Sequence, residues 1–447
     1  MTNSSLTTGH IPRQLFSLTY PMIGGILSIM SMNIVDTFYI AQLGTDPLAA
    51  MSFTMPVVAV LLSIAFGIGI GASSVISRAI GSNQHLLVQA YTSNALIIAL
   101  VIAISFAFLG YIWMDELFSS LGAPDYLMPA IHEFMDIWFI GSFVVVVPMV
   151  GNSAIRAAGN TKLPSLVMLS VAIVNMILDP ILIFGMLGFP EMGLAGAAIA
   201  TVVSYAIALL MGIYLLIYKF DFINLEACWG YFIESWKAIL RIALPATGTN
   251  LIAPLSVAIT TWFVAKYSPE AVAGFGVASR IESIFLVIIM GLASIMGPFV
   301  GQNWGAKQYQ RVNDSIEISL KFIFFWGVIT TLLLWVFAET LASLFSNDPL
   351  VINSATHYLK ILPISYLFLG TIMITSSAAN GMGNPIPSLV MSFLRLIGFY
   401  LPFIFLLLHF MNESVSAIYL AAAIANILVG IGAFLWYKHI KSTTKII

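Results

Sequence analysis

The sequence predicts an all-α polytopic membrane protein. Of its 447 residues, 60% are hydrophobic and only 8% are charged, and the mean hydropathy is +1.01. Soluble domains carry about 25% charged residues, so these values exclude a soluble protein. Apolar runs of about 20 residues, each long enough to cross a bilayer as a helix, recur along the whole chain. Backbone polar groups in lipid must be paired internally, and no short alternating segments occur, so we expect a helical bundle and not a β-barrel.

We predict twelve transmembrane helices joined by short connections. The longest polar interruption, residues 219–237, separates six spans from six others. The sequence therefore predicts an N-terminal lobe at 1–219, a cytoplasmic linker at 220–235 and a C-terminal lobe at 236–447. The approximate bounds of the spans are 13–42, 47–79, 87–113, 125–155, 162–188, 193–219, 236–266, 270–303, 312–338, 349–380, 386–410 and 414–438.

Basic residues predict that both termini lie in the cytoplasm. An even number of spans puts the termini on one side, where thirteen basic residues are found, whereas the opposite loops hold Lys266 alone. By the positive-inside rule, the richer side is cytoplasmic. The localisation that we expect is the plasma (inner) membrane of a bacterium or archaeon. The thirteen residues are Arg13, Arg78, Arg156, Lys162, Lys219, Lys237, Arg241, Lys307, Arg311, Lys321, Lys438, Lys441 and Lys445.

The two predicted lobes are internal repeats. Sliding the sequence by 224 residues places Pro21 on Pro245, Gly67 on Gly291 and "AAGN" on "GMGN". Each half holds six spans, so both halves enter the membrane in the same direction. This is a parallel repeat with its axis along the membrane normal, and it predicts a cavity between two lobes.

Two acids inside predicted spans occur in the first half alone. Asp36 in span one corresponds to Thr260, and Asp179 in span five corresponds to about Pro402. The same architecture is therefore built without an acid at either place. A carboxylate near the middle of a bilayer costs about 2.5–3.5 kcal/mol on insertion scales and marks a functional site by default. We assign both acids to an activity of the first lobe.

These acids have polar neighbours at helical spacing. Asn175 lies four residues before Asp179 on the same helix face, and Pro180 frees carbonyls and locally opens that helix. At 1.5 Å per residue, Asp36 and Asp179 fall at comparable depth in the outer half of the membrane. Asn152 joins them if span four runs deeper than its predicted bounds. Desolvation and a neighbouring like charge both favour protonation of a carboxylic acid, so we predict a proton site. A Na⁺ site of carboxylate and amide oxygens is the alternative.

Structural roles compete with this assignment. Asp36 could be solvated at a helix end near the outer interface. Asp179 could instead hydrogen-bond the backbone that Pro180 frees.

A charge cluster in the second half and a glycine-rich motif in span two are the other notable features of the sequence. Arg280 and Glu282 in span eight, with Arg395 in span eleven, predict a buried charge cluster in the second lobe, with a structural, gating or substrate-binding role. "GIGIGA", which starts at Gly67, is superficially similar to a nucleotide loop. It lies within an apolar span with no strand before it, so close helix packing is predicted.

Three motifs resemble those of the MATE family of multidrug and toxic-compound extruders. They are "DTFYIAQLG" after the proline of span one, "RAAGNTKLP" after span four and "NMILDP" in span five. The resemblance covers essentially the whole chain. NorM-type members carry acids in spans seven and ten, and this sequence has none there, so the first-lobe acids are similar to those of the DinF-type branch.

The resemblance implies a V-shaped MATE-like fold and cation-coupled antiport of amphipathic, often cationic compounds by alternating access. It implies that span one bends at the position of Pro21. Where the family usually has an acid after R-x-x-G, this sequence has Asn160. The cation site that the resemblance implies consists of Asp36, Asp179, Asn175 and Asn152, with Thr201 in span six as a further match.

The predicted function is H⁺-coupled export of amphipathic drugs and other xenobiotics, as in antibiotic resistance. The alternatives are Na⁺ coupling and a lipid-linked oligosaccharide flippase, although the latter would favour a cationic cavity. An intramembrane enzyme would need a nucleophile–base or metal constellation, and the six histidines form none. We expect no catalytic residues, cofactor, resident metal or nucleic-acid partner, and a monomer surrounded by membrane lipids.

Overall fold

The structure, a computed structural model, describes residues 6–411 and 414–444. Within them, twelve helices are long and apolar enough to cross a membrane, which confirms the predicted number. Lys445, used in the topology prediction, lies outside the described residues. The helices are α1 (Ile11–Gln42), α2 (Thr45–Gly81), α3 (His85–Ile112), α4 (Asp125–Ala157), α5 (Lys162–Ile183), α6 (Gly193–Lys219), α7 (Phe232–Val264), α8 (Pro269–Gly305), α9 (Tyr309–Ser343), α10 (Pro349–Gly381), α11 (Ile386–Phe410) and α12 (Val415–Ser442).

Four of the described spanning helices contain turns that are not α-helical. Helix α4 begins with a 3₁₀ turn at Asp125–Leu127. A 3₁₀ turn at Leu362–Ser365 interrupts α10, and it contains Pro363, which has no N–H to donate to the preceding turn. Wider π-helical turns occur at Leu215–Lys219, where α6 ends, and at Leu394–Tyr400 within α11. Such π-turns are frequent at functional sites, and the turn in α11 carries Arg395.

The described residues divide into two compact units. The first consists mainly of Tyr20–Thr247, and the second consists of Thr7–Thr19 with the described part of 248–447. Helix α1 passes from the second unit to the first directly before Pro21. Helix α7 passes from the first unit to the second just after Pro245, the residue that the repeat pairs with Pro21. The predicted lobe and linker boundaries stay a prediction.

Close packing in the first unit depends on the glycines of "GIGIGA" in α2. A Cβ atom on Gly71 would lie 2.8 Å from the Ile239 carbonyl oxygen of α7, and one on Gly67 would lie 2.8 Å from the Thr247 backbone nitrogen of the same helix. Real Cβ atoms do not approach other atoms so closely, so only glycine permits these contacts. The predicted packing role of the motif is confirmed, and small residues are the usual means of bringing membrane helices together.

The segment between α6 and α7 is held against α3 by hydrogen bonds. Gln89 Nε2 donates to the Asp221 carbonyl at 3.0 Å and its Oε1 accepts from Asn224 Nδ2 at 3.0 Å. Asn94 Nδ2 donates to the Cys228 carbonyl at 3.0 Å. These contacts fix the segment, which contains a short helix at Leu225–Gly230, to the first unit.

The start of α1 is fixed to the second unit by one arginine. Arg311 at the beginning of α9 donates to the Gly9 carbonyl at 2.7 Å, to Gln14 Oε1 at 2.9 Å and to Asn303 Oδ1 at 3.0 Å. The first turns of α1 and the residues before them are therefore tied to α8 and α9.

Candidate functional site

The site begins with two polar residues one turn apart on α5. Asp179 is completely buried and Asn175 is 1% exposed. Asn175 Nδ2 donates a hydrogen bond to Asp179 Oδ1 at 3.2 Å. The four-residue spacing therefore places both side chains on one face of α5, as the sequence predicts.

Helix α6 brings Thr201 to this pair. Thr201 Oγ1 lies 3.5 Å from Asn175 Nδ2, a long contact in which the amide faces both residues. Helix α6 comes this close because a Cβ on Gly196 would lie only 2.6 Å from the Leu182 carbonyl carbon of α5. The structure thus joins Thr201, which the sequence connected with the site only by resemblance, to Asn175.

Helix α1 runs alongside α5 in the same direction. A Cβ on Gly25 would lie 3.1 Å from Ser165 Cα near the start of α5, and the Tyr39 ring meets the Phe184 ring at the end of α5, with centroids 6.0 Å apart. Asp36 lies between these two contacts on α1. It is therefore carried to the level of Asp179 on the neighbouring helix.

The carboxyl groups of Asp36 and Asp179 are close enough to interact electrostatically. Asp36 is partly buried, yet its Oδ1 is buried without a hydrogen-bond partner, and the same holds for Asp179 Oδ2 and Asn175 Oδ1. Buried polar atoms in native proteins are nearly always paired. Three acceptor oxygens therefore lack a donor among the described residues, and carboxyl and amide oxygens are groups that can bind a proton or a small cation.

Asn152 on α4 also has a buried, unpartnered acceptor oxygen, but it is not hydrogen-bonded to Asn175 or Asp179. It is 8% exposed and its Oδ1 is buried without a hydrogen-bond partner. Within residues 6–411 and 414–442, no hydrogen bond joins Asn152 to Asp36, Asn175 or Asp179. Polar contacts therefore join Asn175, Asp179 and Thr201, and Asp36 interacts electrostatically with Asp179, whereas Asn152 is a buried acceptor that is not hydrogen-bonded to them.

The two prolines occupy continuous helices. Helix α5 extends through Pro180 to Ile183, and α1 extends through Pro21 to Gln42. Pro180 has no N–H and leaves the carbonyl four residues earlier without its helical donor, whereas its own carbonyl accepts from the Phe184 N–H at 3.3 Å. Bending at Pro21 stays a prediction.

The predicted charge cluster of the second unit contains two of its three members. Glu282 Oε2 accepts a hydrogen bond from Tyr358 Oη at 2.6 Å, and Arg395 interacts electrostatically with Glu282. Arg280, by contrast, has an exposed side chain and lies outside this group. Two residues correspond to about 200° around a helix, so the side chains of residues 280 and 282 point in nearly opposite directions.

Sequence reasoning missed the tyrosines of this unit. Tyr358 is hydrogen-bonded to Glu282, and Tyr400 and Thr260 share a hydrogen bond of 2.6 Å between their hydroxyls. The available signal was the repeat itself, which pairs Thr260 with Asp36 of the first half. A hydroxyl where the other half has an acid indicates that this position is polar in both lobes.

Comparison with known proteins agrees with this architecture. The MatE family model matches residues 21–181 and again residues 245–406. The chain belongs to the MATE family. The second match begins 224 residues after the first, so the two halves of this MATE protein are repeats with the predicted offset.

Proteins named as transporters are similar to this MATE protein over most of their length. The FAD transporter of Shewanella oneidensis is 38% identical over 98% of this chain and 97% of its own. Multidrug export protein MepA of Staphylococcus haemolyticus is 27% identical over 81% of this chain and 80% of its own. The crystal structure of the Vibrio cholerae MATE transporter VcmN in the bent form is 31% identical, covers 98% of both chains and has a TM-score of 0.91. The predicted family is confirmed, and the chain is an integral membrane transporter.

Proposed function

We propose that this MATE protein exports amphipathic, often cationic small molecules in exchange for protons that bind at Asp36 and Asp179. Its multidrug-export relatives support the class of substrate. The observation that carries the proton coupling is the pair of unpartnered carboxyl oxygens in one buried site. Two carboxylates repel each other strongly where water is scarce. One proton removes that repulsion and supplies the missing donor.

The proposed cycle uses this change of charge. In the outward-facing state a proton enters the site, the two acids no longer repel each other, and the side chains around them repack so that substrate is released. In the inward-facing state the proton leaves to the cytoplasm and substrate binds again. The basic residues at the proposed cytoplasmic ends, where we also place both termini, support this orientation.

Helix α1 is the element that we propose to respond to the proton. Its first turns are held by Arg311, whereas the part after Pro21 carries Asp36. A proline weakens the helix at the turn before it, so a bend at Pro21 would move Asp36 without breaking the Arg311 contacts. A bent form of the relative VcmN has been crystallised, which agrees with this proposal.

Sodium coupling is the competing form of the same proposal. Carboxylate and amide oxygens are hard ligands that suit an alkali cation as well as a proton, and Asn175 and Asn152 both have an unpartnered Oδ1. The two ions differ in what drives transport and not in where they bind.

Export of ethidium from proteoliposomes tests the proposal. We expect a pH gradient at equal Na⁺ to drive export, and a Na⁺ gradient at equal pH to give none. Asp179→Asn should abolish the pH-driven export, whereas Asp125→Asn, which changes an exposed acid at the start of α4, should not. Export driven by Na⁺ alone would reject proton coupling, and unchanged export by Asp179→Asn would reject the site.

A second candidate substrate is a flavin nucleotide. It is favoured by the FAD transporter of Shewanella oneidensis, which is 38% identical over 98% of this chain. The coupling site would be the same, and only the substrate would differ. Export of FAD from the same proteoliposomes, at a rate above that of Asp179→Asn, would support it, and FAD retention would reject it.

A further inference from the structure

A cavity of about 240 Å³ lies within the second unit and shares no residue with the proposed proton site. Its polar lining comes from five of the spanning helices. Thr260 is on α7, Glu282 on α8, Tyr358 on α10, Arg395 on α11 and Asn426 on α12. Apart from Ser256, the rest of the wall is apolar or aromatic. A cavity with a few converging polar groups in an apolar wall is the usual form of a small-molecule site.

Arg395 is the group that indicates a ligand. Arg395 lines the cavity, is half-buried, and its guanidinium makes no hydrogen bond with any residue of 6–411 or 414–442. A guanidinium has five N–H donors in a planar fork. Its donors are therefore open to an acceptor on a molecule bound in the cavity.

Glu282 supplies the opposite charge without contacting Arg395. The two interact electrostatically, but no nitrogen–oxygen distance between them is within 4.0 Å among the described residues. Tyr358 donates to one carboxylate oxygen at 2.6 Å, and the Tyr366 hydroxyl also interacts with this carboxylate, which has about four acceptor sites in all. The cavity is therefore lined by an acid that can accept a further hydrogen bond and by a base that can donate several.

The wall restricts the shape of a molecule in this cavity. The Tyr358 ring meets the Phe275 ring at 5.6 Å and the Tyr419 ring at 4.9 Å between centroids, both edge to face. Such aromatic surfaces favour a flat ring. Drug-sized sites measure about 300–1,000 Å³, so this cavity holds one compact ring system, either a free ring compound or the ring of a larger molecule.

We propose that the cavity binds a flat heterocyclic ring whose edge presents a carbonyl acceptor to Arg395 and an adjacent N–H donor to Glu282. Carbonyl–imide rings have this edge, and it occurs both in flavins and in free pyrimidine bases. The site lies in the other unit from Asp179 and does not depend on proton coupling. The site would determine which ring-bearing molecules the transporter binds.

Lumichrome, a fluorescent ring compound with this edge, tests the proposal on the purified full chain. We expect saturable binding, seen as quenching of its fluorescence, and binding weaker by about tenfold or more when its imide nitrogen is methylated. Competition by uracil would identify the pyrimidine edge as sufficient. Competition by riboflavin alone would identify the fused ring as necessary, and both results support the site.

The matched variants separate binding from folding. Glu282→Gln with Arg395→Gln removes both charges together, so no unpaired charge stays buried. We expect it to lose lumichrome binding by about tenfold or more while retaining pH-driven ethidium export, which depends on the first unit. Arg395→Lys, which keeps the charge but loses the planar fork, should lose part of the affinity.

Arg280→Gln is the control, because this exposed arginine lies on the same helix as Glu282 and outside the cavity. Its lumichrome affinity should equal that of the unmodified protein. The proposal is overturned if the unmodified protein shows no saturable binding, or if the double variant binds lumichrome as tightly as Arg280→Gln does.

Discussion

Asn175 Nδ2 donates a hydrogen bond to Asp179 Oδ1 at 3.2 Å, while Asp179 Oδ2 stays buried without a partner. One oxygen of the acid is thus held in place and the other is free to receive a proton or a cation. The Asn175 amide therefore fixes which oxygen of Asp179 is left without a hydrogen bond. The function of this pair should therefore depend on the amide of Asn175 and on the packing and bending of the neighbouring helices.

Removal of the amide should weaken coupling. We expect Asn175→Ala to lower pH-driven ethidium export by about tenfold, because a hydrogen bond to a charged group contributes roughly 1.5–3 kcal/mol. Thr201→Val should lower it by less than about threefold, since the contact of Thr201 with Asn175 is 3.5 Å long. Equal effects of the two variants in proteoliposomes would show that Asn175 does not act through Asp179.

Packing of α6 on α5 should be sensitive to one methyl group. Gly196→Ala would place a Cβ 2.6 Å from the Leu182 carbonyl carbon, and we expect a loss of about 1–3 kcal/mol in stability from overpacking. Gly212→Ala on the same helix has nothing within 4 Å and is the control. Thermal unfolding of the two variants in detergent measures the difference. A Gly196→Ala midpoint equal to that of Gly212→Ala would contradict the close contact.

Bending of α1 should require its proline. We expect Pro21→Ala to reduce pH-driven export severalfold without lowering the thermal midpoint, because it restores a helical hydrogen bond and stiffens the turn. Pro56→Ala, an exposed proline within α2, controls for proline removal in general. If Pro21→Ala transports as well as Pro56→Ala, α1 does not work by bending at this residue.

The Arg311 contacts should protect the chain before α1. We expect Arg311→Gln to increase amide hydrogen exchange in residues 8–14, since the bonds from Arg311 to Gly9 and Gln14 are lost. Lys321→Gln changes an exposed lysine on the same helix and should leave that exchange as it is. Identical exchange in both variants would mean that other contacts hold the segment.

Periodicity and repeats were sufficient to predict much of the first unit. The spans follow from apolar length, because a helix in lipid satisfies its own backbone. The face shared by Asn175 and Asp179 follows from four-residue spacing, and the offset of 224 follows from direct comparison of the two halves. None of these inferences requires knowledge of which helices pack together.

The remaining features depend on contacts between residues distant in sequence. The passage of α1 between units at Pro21 reflects the Arg311 contacts, about 300 residues away. Arg280 was grouped with Glu282 by proximity in sequence, but two residues turn a helix through about 200°. The cavity around Arg395 arises where five helices meet, and single-sequence patterns do not specify which faces meet.

The central claim is that protons pass through Asp36 and Asp179 in exchange for substrate. Its most direct measurement is the proton flux linked to ethidium export, followed with a pH-sensitive dye trapped in proteoliposomes. We expect linked flux in the unmodified protein and in Asp125→Asn, and none in Asp36→Asn or Asp179→Asn. An unchanged number of protons moved per ethidium exported by Asp179→Asn would contradict the account.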